Sequence, residues 1–390
     1  MILSKKSVFL ILISVIISGS IGIALFSYIP VLLKTLGYEA PVIQLVSTIF
    51  PLTTAVLPPI MGRISDKIQR RAPFFIIGSA GVSLVLFLLG FADNLILIAI
   101  LMFIYGFMSA NYMLIFIYYQ EIVQNNSRFI AYYNAASVLG WFLGTLFGGI
   151  FINFYGIQIL FWILFFISLS VIFIVIFIRE NRQLILEAFE EVQSMGEEGN
   201  PETRPEKADI SRSIYLALFF RNFGIRPIVA VLAIIMAFFI SNESEIGFLL
   251  GFNFLLQFFL MILIGRIINQ KNLKLILVIG YALSAVTIFG YIISIDFWGF
   301  LICQILISFS FAMFWNANQI YIAQKTTPKN KGKYVGYANS SFYLGGFLGG
   351  IFFSGLLLIN SDYFIMMYSM IIFPILSTLI IMFGFKKPVR

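Results

Sequence analysis

Histidine is absent from the 390-residue sequence, and cysteine occurs once, at Cys303. A His/Cys metal centre and a histidine-based triad therefore have no raw material, and an intrachain disulfide is excluded. Charge is scarce as well: 11% of the residues are Asp, Glu, Lys or Arg, against 61% that are hydrophobic. That balance excludes a soluble globule and describes a chain that crosses a membrane many times. The formal net charge of +8 would suit nucleic acid, but the cations follow membrane topology, so no nucleic-acid partner is expected. Paired intramembrane acids and a nucleophile constellation are missing too, so neither an enzyme nor a cofactor is expected.

What is present is a series of long apolar runs. Lys5 and Lys6 precede one from about Val8 to Leu33, too long for a signal-peptide core, which is read as span 1 with its amino terminus inside. Further spans are predicted at about 41 to 61, 73 to 92, 95 to 120, 129 to 153 and 157 to 178. A second set follows at about 213 to 240, 246 to 267, 273 to 293, 297 to 322, 334 to 358 and 363 to 385. Each is about long enough to cross a hydrocarbon core of ~30 Å at ~1.5 Å per residue. Between the sets, residues 179–212 carry nine acids, five bases, Gly196, Gly199, Pro201 and Pro205, the composition of a solvated linker. Within it Leu184, Ile185, Ala188, Phe189 and Val192 recur at helical spacing, so a short surface helix and an acidic tether are both open.

The expected organisation is an amino-terminal six-helix half (1–178), a cytoplasmic linker (179–212) and a carboxy-terminal six-helix half (213–390), with both termini cytoplasmic. Of the 25 Lys and Arg, only Lys34 falls in a predicted outer loop and two, Arg221 and Arg226, lie within span 7, leaving 22 on the inner side. Glu39, Asp93, Glu243, Glu245, Asp296 and Asp362 fall at the outer side, so the asymmetry obeys the positive-inside rule. The halves also repeat at an offset of 205 residues. Arg128, Tyr132, Asn134, Leu139, Gly140, Phe142, Leu143 and Gly144 align with Lys333, Tyr337, Asn339, Leu344, Gly345, Phe347, Leu348 and Gly349, and Asn111 aligns with Asn316.

Between spans 2 and 3 stands Gly62-Arg63-Ile64-Ser65-Asp66-Lys67-Ile68-Gln69-Arg70-Arg71, read as a dense charged turn with one carboxylate among four cations. Gly62 allows close backbone approach, and Arg70 and Arg71 stand where anionic lipid headgroups would lie. This stretch, with the duplication and the topology, resembles the major facilitator superfamily of secondary transporters. The superfamily's loop between helices 2 and 3 carries G-x-x-x-D-[RK]-x-G-[RK]-[RK], and Gln69 stands at its second glycine. After span 8 the pattern returns in decayed form, Gly265-Arg266-Ile267-Ile268-Asn269-Gln270-Lys271. Span 5 holds Gly140-x-x-x-Gly144-Thr145-x-x-Gly148-Gly149, similar to the family's antiporter motif with Thr145 in place of proline. In span 4, Met102 stands where the family's proton antiporters have arginine.

The resemblance implies an all-α membrane protein of twelve transmembrane helices in two parallel six-helix pseudo-repeats. It also implies a small-molecule substrate moved by alternating access. The expected gating residues are Gly62, Asp66, Arg70, Arg71, Gly140, Gly144, Gly265, Gly345 and Gly349, with Asp66 accepting hydrogen bonds from the start of helix 11. Location in the cell membrane, contact with membrane lipids and a monomeric state complete the expectation.

Deep in span 7 lie Arg221, Asn222, Arg226 and Pro227. An arginine in a helical span costs at least ~2.5 kcal/mol on insertion scales, so each should face a cavity or find a partner. Five residues apart, the two diverge by ~140° around the helix, so one is free to bind substrate while the other pairs elsewhere. Other substrate-binding candidates are Ser20, Asn111, Tyr112, Asn253, Gln257 and Asn316, with Ser18, Asn318 and Gln319 as further polar positions; interhelical hydrogen-bond glue is the alternative reading for each. Glu121, near the inner end of span 4, is the coupling candidate, because proton transport needs a titratable group in the path. An anionic or amphipathic solute is the favoured substrate. A multidrug or sugar effluxer and a non-transporting sensor on the same scaffold are the alternatives.

Overall fold

The computed structural model describes residues 5–38, 42, 46, 48–178, 210–241, 243–327, 330–360 and 362–385. In hydrocarbon the backbone has no water to bond, so the apolar runs close their hydrogen bonds internally as helices. In chain order these are α1 (Lys5–Thr35), α2 (Ile49–Ile68), α3 (Ala72–Leu89), α4 (Leu95–Ser109), α5 (Tyr112–Ile122), α6 (Ser127–Tyr155) and α7 (Ile157–Ile176). There follow α8 (Arg212–Ala237), α9 (Glu243–Ile267), α10 (Leu273–Ile293), α11 (Phe297–Lys325), α12 (Lys331–Ile359), α13 (Tyr363–Met370) and α14 (Ile372–Gly384).

Among the described residues, eleven stretches are long and apolar enough to cross a membrane, with α4–α5 and α13–α14 each forming one. The predicted second span is met from Ile49 by α2, whose last two turns carry Arg63, Asp66 and Lys67. Large apolar side chains stay exposed along these helices, among them Phe9, Phe103, Phe166, Phe173 and Trp298, as lipid-facing surface requires. The predicted linker lies outside the described residues up to residue 209, and the predicted surface helix at Leu184 to Val192 lies there too.

The chain packs into two compact units, residues 1–210 with 320–340, and residues 211–319 with 341–390. The first has an apolar core of Ile21, Leu25, Val82, Leu86, Ile98, Tyr105 and Phe161 and their neighbours. The second is built around Ile228, Leu232, Tyr291, Phe300, Phe353 and Met367. Residues 320–325 of α11 and 331–340 of α12 thus belong with the first unit, while the remainder of both helices belongs with the second.

Two spans are broken. Between α4 and α5 the Asn111 N–H bonds Met108 O at 3.2 Å, three residues back, and the Asn111 side chain donates to the same carbonyl at 3.1 Å. Between α13 and α14 the cause is Pro374, which has no N–H to offer the carbonyl of Met370. By contrast, α8 runs through Pro227 and α6 runs unbroken through Thr145.

The charged stretch is not mainly a turn, as the sequence suggested. Gly62 through Ile68 continue α2, and only Gln69 to Arg71 reverse the chain before α3. The reversal rests on Gln69, which caps α2 in the left-handed conformation at φ 56°. A residue with a Cβ is held there at a cost of about 1–2 kcal/mol that glycine avoids. Gln69→Gly is therefore expected to raise stability by roughly 0.5–1 kcal/mol, seen as a higher unfolding midpoint in detergent. A lowered midpoint would show that the glutamine side chain contributes more than its backbone costs.

Candidate functional site

The densest polar constellation gathers where α2 ends. Asp66, one turn after Gly62, accepts the backbone N–H of Lys333 in the first turn of α12. A carboxylate there meets the unsatisfied N–H groups and positive end of a helix. The two backbones can approach because both partners are glycines: a Cβ on Gly62 would overlap the Gly332 carbonyl, and one on Gly332 would lie 2.7 Å from Asp66 Oδ1. Nearby, Arg63 Nη2 donates to Tyr337 Oη at 2.6 Å.

Arg71 is buried and joins two acids, with Nη1 2.7 Å from Asp66 Oδ1 and Nη2 3.0 Å from Glu121 Oε1 on α5. It also donates to Ser65 Oγ at 2.7 Å. Arg71 therefore does not stand among lipid headgroups as expected, because two carboxylates and a hydroxyl draw it inward; its neighbour Arg70 is exposed. Burial pushes the Asp66 carboxyl up, with Arg71 opposing. Glu121, the coupling candidate, is held by Arg71 on one oxygen, and its Oε2 has no hydrogen-bond partner among the described residues. A fourth charge went unnoticed in the sequence: Lys331, 1% exposed, donates from Nζ to Asn125 Oδ1 at 2.7 Å. The only signal for it was its place beside Gly332 at the head of span 11.

The other expected gating glycines sit in helix packing inside each unit. Cβ atoms on Gly140 and Gly144 of α6 would overlap the Ile16 and Ser20 carbonyls of α1. On Gly345 and Gly349 of α12 they would overlap the carbonyls of Phe219 and Phe223 of α8. The same close crossing of small residues is thus made twice. Gly265 lies near the end of α9, and the following Asn269 spends its side chain on its own turn, accepting from Lys271 N at 3.0 Å and Asn272 N at 3.1 Å. The decayed motif therefore makes no reach like that of Asp66.

Arg221 and Arg226 leave α8 in different directions. Arg221 is buried in the second unit, donating to Ser284 Oγ at 2.9 Å and Asn222 Oδ1 at 3.2 Å, with its guanidinium 4.3 Å from the ring centre of Phe314. Among the described residues it has no carboxylate partner. Asn222 in turn donates to Leu218 O at 2.7 Å. Arg226 is half-buried, 5.1 Å from the ring centre of Phe342 on α12. Half-buried Trp315 stands edge-on to that ring at 5.0 Å.

Most other polar candidates join helices. Ser20 donates to Gly140 O at 2.9 Å and Asn316 to Met261 O at 2.9 Å. Asn318 donates to Tyr281 Oη at 2.8 Å. Gln257 donates to Asn253 Oδ1, Asn253 to Gln304 Oε1 at 2.8 Å and Ser308 to Asn253 Oδ1 at 3.1 Å, linking α9 to α11. Tyr112 bonds Ser18 and Ser79. Gln304, Ser308 and Ser284 were missed in the sequence, since a lone polar residue in an apolar run carries no sign of its partner.

Among the described residues the chain is all helical, with many spans, close glycine crossings and a carboxylate seated on a helix start, features that suit the major facilitator fold. The structure matches the crystal structure of the human organic anion transporter MFSD10 (TETRAN) with a TM-score of 0.79, over 97% of this chain and 99% of that chain, at 14% sequence identity. At that identity the likeness speaks for the fold alone. The profile of the MFS_1 like family matches residues 8–370, and the chain belongs to that family. Comparison with curated proteins gave no match.

The two adjacent arginines provide a test of the cluster. Arg71→Met leaves two carboxylates facing each other and is expected to cost about 3–5 kcal/mol, whereas Arg70→Met should stay within about 0.5 kcal/mol. Thermal unfolding in detergent measures both, and equal shifts would contradict the geometry.

Proposed function

We propose that the protein moves a small organic solute, anionic or amphipathic, across the cell membrane by alternating access. The observation that carries this reading is the seat of Asp66 on the start of α12, a contact between a helix end and a carboxylate that can be made and released as one step. Supporting it, residues 320–340 pack with the first unit while the helices they belong to continue into the second. A connection of that kind suits a gate at the inner side. In this reading the chain forms twelve spans in two six-helix halves, 1–178 and 213–390, joined by a cytoplasmic linker, with both termini cytoplasmic and a monomer as the working unit.

The two arginines divide the labour. Arg221, with its serine, amide and aromatic partners, holds helices of the second unit together, and Arg226 is the contact for the negative group of the substrate. Half-buried Trp315 and Tyr343 offer apolar surface beside it. The organic anion named for the structural neighbour agrees with this polarity.

The orientation is open to direct measurement with cysteine labelling in a Cys303→Ser background. Asn94 and Asp362 each cap a helix, so exposed Asp93 is the better outer position. Asp93→Cys should react with an impermeant thiol reagent added outside sealed cells, and Arg70→Cys should not; the reverse pattern overturns the topology. For the substrate, purified protein is screened by thermal shift with organic anions and their neutral analogues, and the strongest hit is carried into counterflow in proteoliposomes. Arg226→Gln should abolish the anion-dependent shift and slow counterflow at least tenfold while leaving the unliganded midpoint in place. Equal stabilisation by neutral analogues would remove the anionic reading.

A further inference from the structure

Arg221 carries its charge into the interior of the second unit, and the groups that receive it there are neutral. Its Nε donates to Ser284 Oγ on α10 at 2.9 Å, the hydroxyls of Ser284 and Ser310 lie 2.7 Å apart, and Ser310 donates to Gly280 O at 2.7 Å. Because the Ser310 proton is spent on that carbonyl, Ser284 donates to Ser310, and the relay runs one way from the guanidinium to a backbone oxygen. Nη1 donates to Asn222 Oδ1 at 3.2 Å, and the ring centres of Phe311 and Phe314 on α11 lie 5.9 and 4.3 Å from the guanidinium. These partners spread the charge without cancelling it. The electrostatic neighbours of Arg221 include no acid: they are Tyr281, Tyr291 and a second cation, Arg226. A charge buried without an opposite charge is costly.

Among the described residues, Arg221 Nη2 makes no hydrogen bond. A second unspent donor belongs to Tyr291, a fully buried residue whose Oη has no hydrogen-bond partner among the described residues. Tyr291 follows Ser284 by seven residues, about two turns along the same face of α10. Long side chains on a helix lean back toward its amino terminus, so the Tyr291 hydroxyl leans toward Ser284 and the guanidinium bound to it. The mutual electrostatic influence of Tyr291 and Arg221 agrees with that direction. Phe300, with its ring centre 6.4 Å away, packs beside the tyrosine ring. Two donors, one of them cationic, thus converge where no acceptor is left for either. Arg221 is 3% exposed, which is room beside it for a guest of about the size of a water molecule and too little for an organic solute.

We propose that the second unit binds one small monovalent inorganic anion, of the size of chloride, between Arg221 Nη2 on α8 and the Tyr291 hydroxyl on α10. The anion accepts from both donors and matches the charge of Arg221, with no proton transferred. It joins α8 to α10 beside the bond from Arg221 to Ser284, as a fixed counter-ion of the bundle. This site is separate from the one assigned to the solute at Arg226, and it does not rest on the alternating-access reading.

The test uses the purified protein in detergent, without organic solute, and chloride itself as the probe. Thermal unfolding is followed as sodium chloride replaces sodium gluconate at constant ionic strength, so that screening stays the same and the replaced anion is too large for the site. The wild-type midpoint should rise with chloride and follow a saturable curve, and bromide should act in the same way. Arg221→Gln should lose the chloride dependence. Tyr291→Phe keeps the ring and removes one hydrogen bond to a charged group, so the half-saturating chloride concentration should rise about tenfold while the chloride-free midpoint is not lowered. That variant carries the test if Arg221→Gln does not fold. Arg226→Gln, which removes the response to organic anions, should keep a saturable response to chloride. A wild-type midpoint indifferent to the exchange, a chloride dependence retained in Arg221→Gln, or an unshifted half-saturation in Tyr291→Phe overturns the proposal. Counterflow and its dependence on Arg226 are unaffected by that outcome, so loss of the chloride site and loss of the transport reading are distinguishable.

Discussion

A carboxylate lodged at the first turn of a helix satisfies backbone N–H groups that have no partner of their own, and Asp66 does this for α12. The remaining features of that end of the first unit follow from it. Gly62 and Gly332 must lack side chains for the two backbones to meet. Arg71 is turned inward onto Asp66 and Glu121, and Lys331 at the helix start donates to Asn125. The contact is confined and polar, unlike the broad apolar packing of the first unit's core.

That contrast explains the distribution of small residues. Where α1 crosses α6 and α8 crosses α12, two glycines one turn apart bring backbones together over consecutive turns. Such crossings gain dispersion contacts that lipid cannot supply and hold each bundle as a body. The arginines of α8 illustrate the same division. Arg221 has been absorbed into its bundle by Ser284, Asn222 and the face of Phe314, while Arg226 stays half-buried beside Phe342. A charge integrated by neutral acceptors and an aromatic face stabilises a fold.

Much of the fold was legible because membrane crossing demands some twenty apolar residues in a row, a signal that short-range exceptions rarely hide. Gly140 and Gly144 recur in the sequence as Gly345 and Gly349, and each pair lines a close helix crossing. The site was legible only in part. Asp66 and Gly62 could be found by spacing, but Arg70 and Arg71 look alike in sequence, and only the direction each leaves the chain separates an exposed cation from a buried one. Lys331 read as an ordinary flanking lysine, because nothing local shows that Asn125, two hundred residues earlier, waits for it. The break at Asn111 was invisible too, having no proline or glycine at the break itself.

The account depends most on Asp66 holding the start of α12. A carboxylate at a helix start contributes about 0.3 to 2 kcal/mol between exposed and partly buried settings, and a contact made in one state shifts the equilibrium by its own worth. The decisive measurement is the distance distribution between spin labels on the end of α2 and the start of α12, compared at one pH between the wild type and Asp66→Asn. The account predicts an open population raised by a factor of about 2 to 30, with turnover slowed more than substrate binding is weakened. An unchanged distribution together with an unchanged transport rate would contradict it and leave the charged stretch as a topology signal alone.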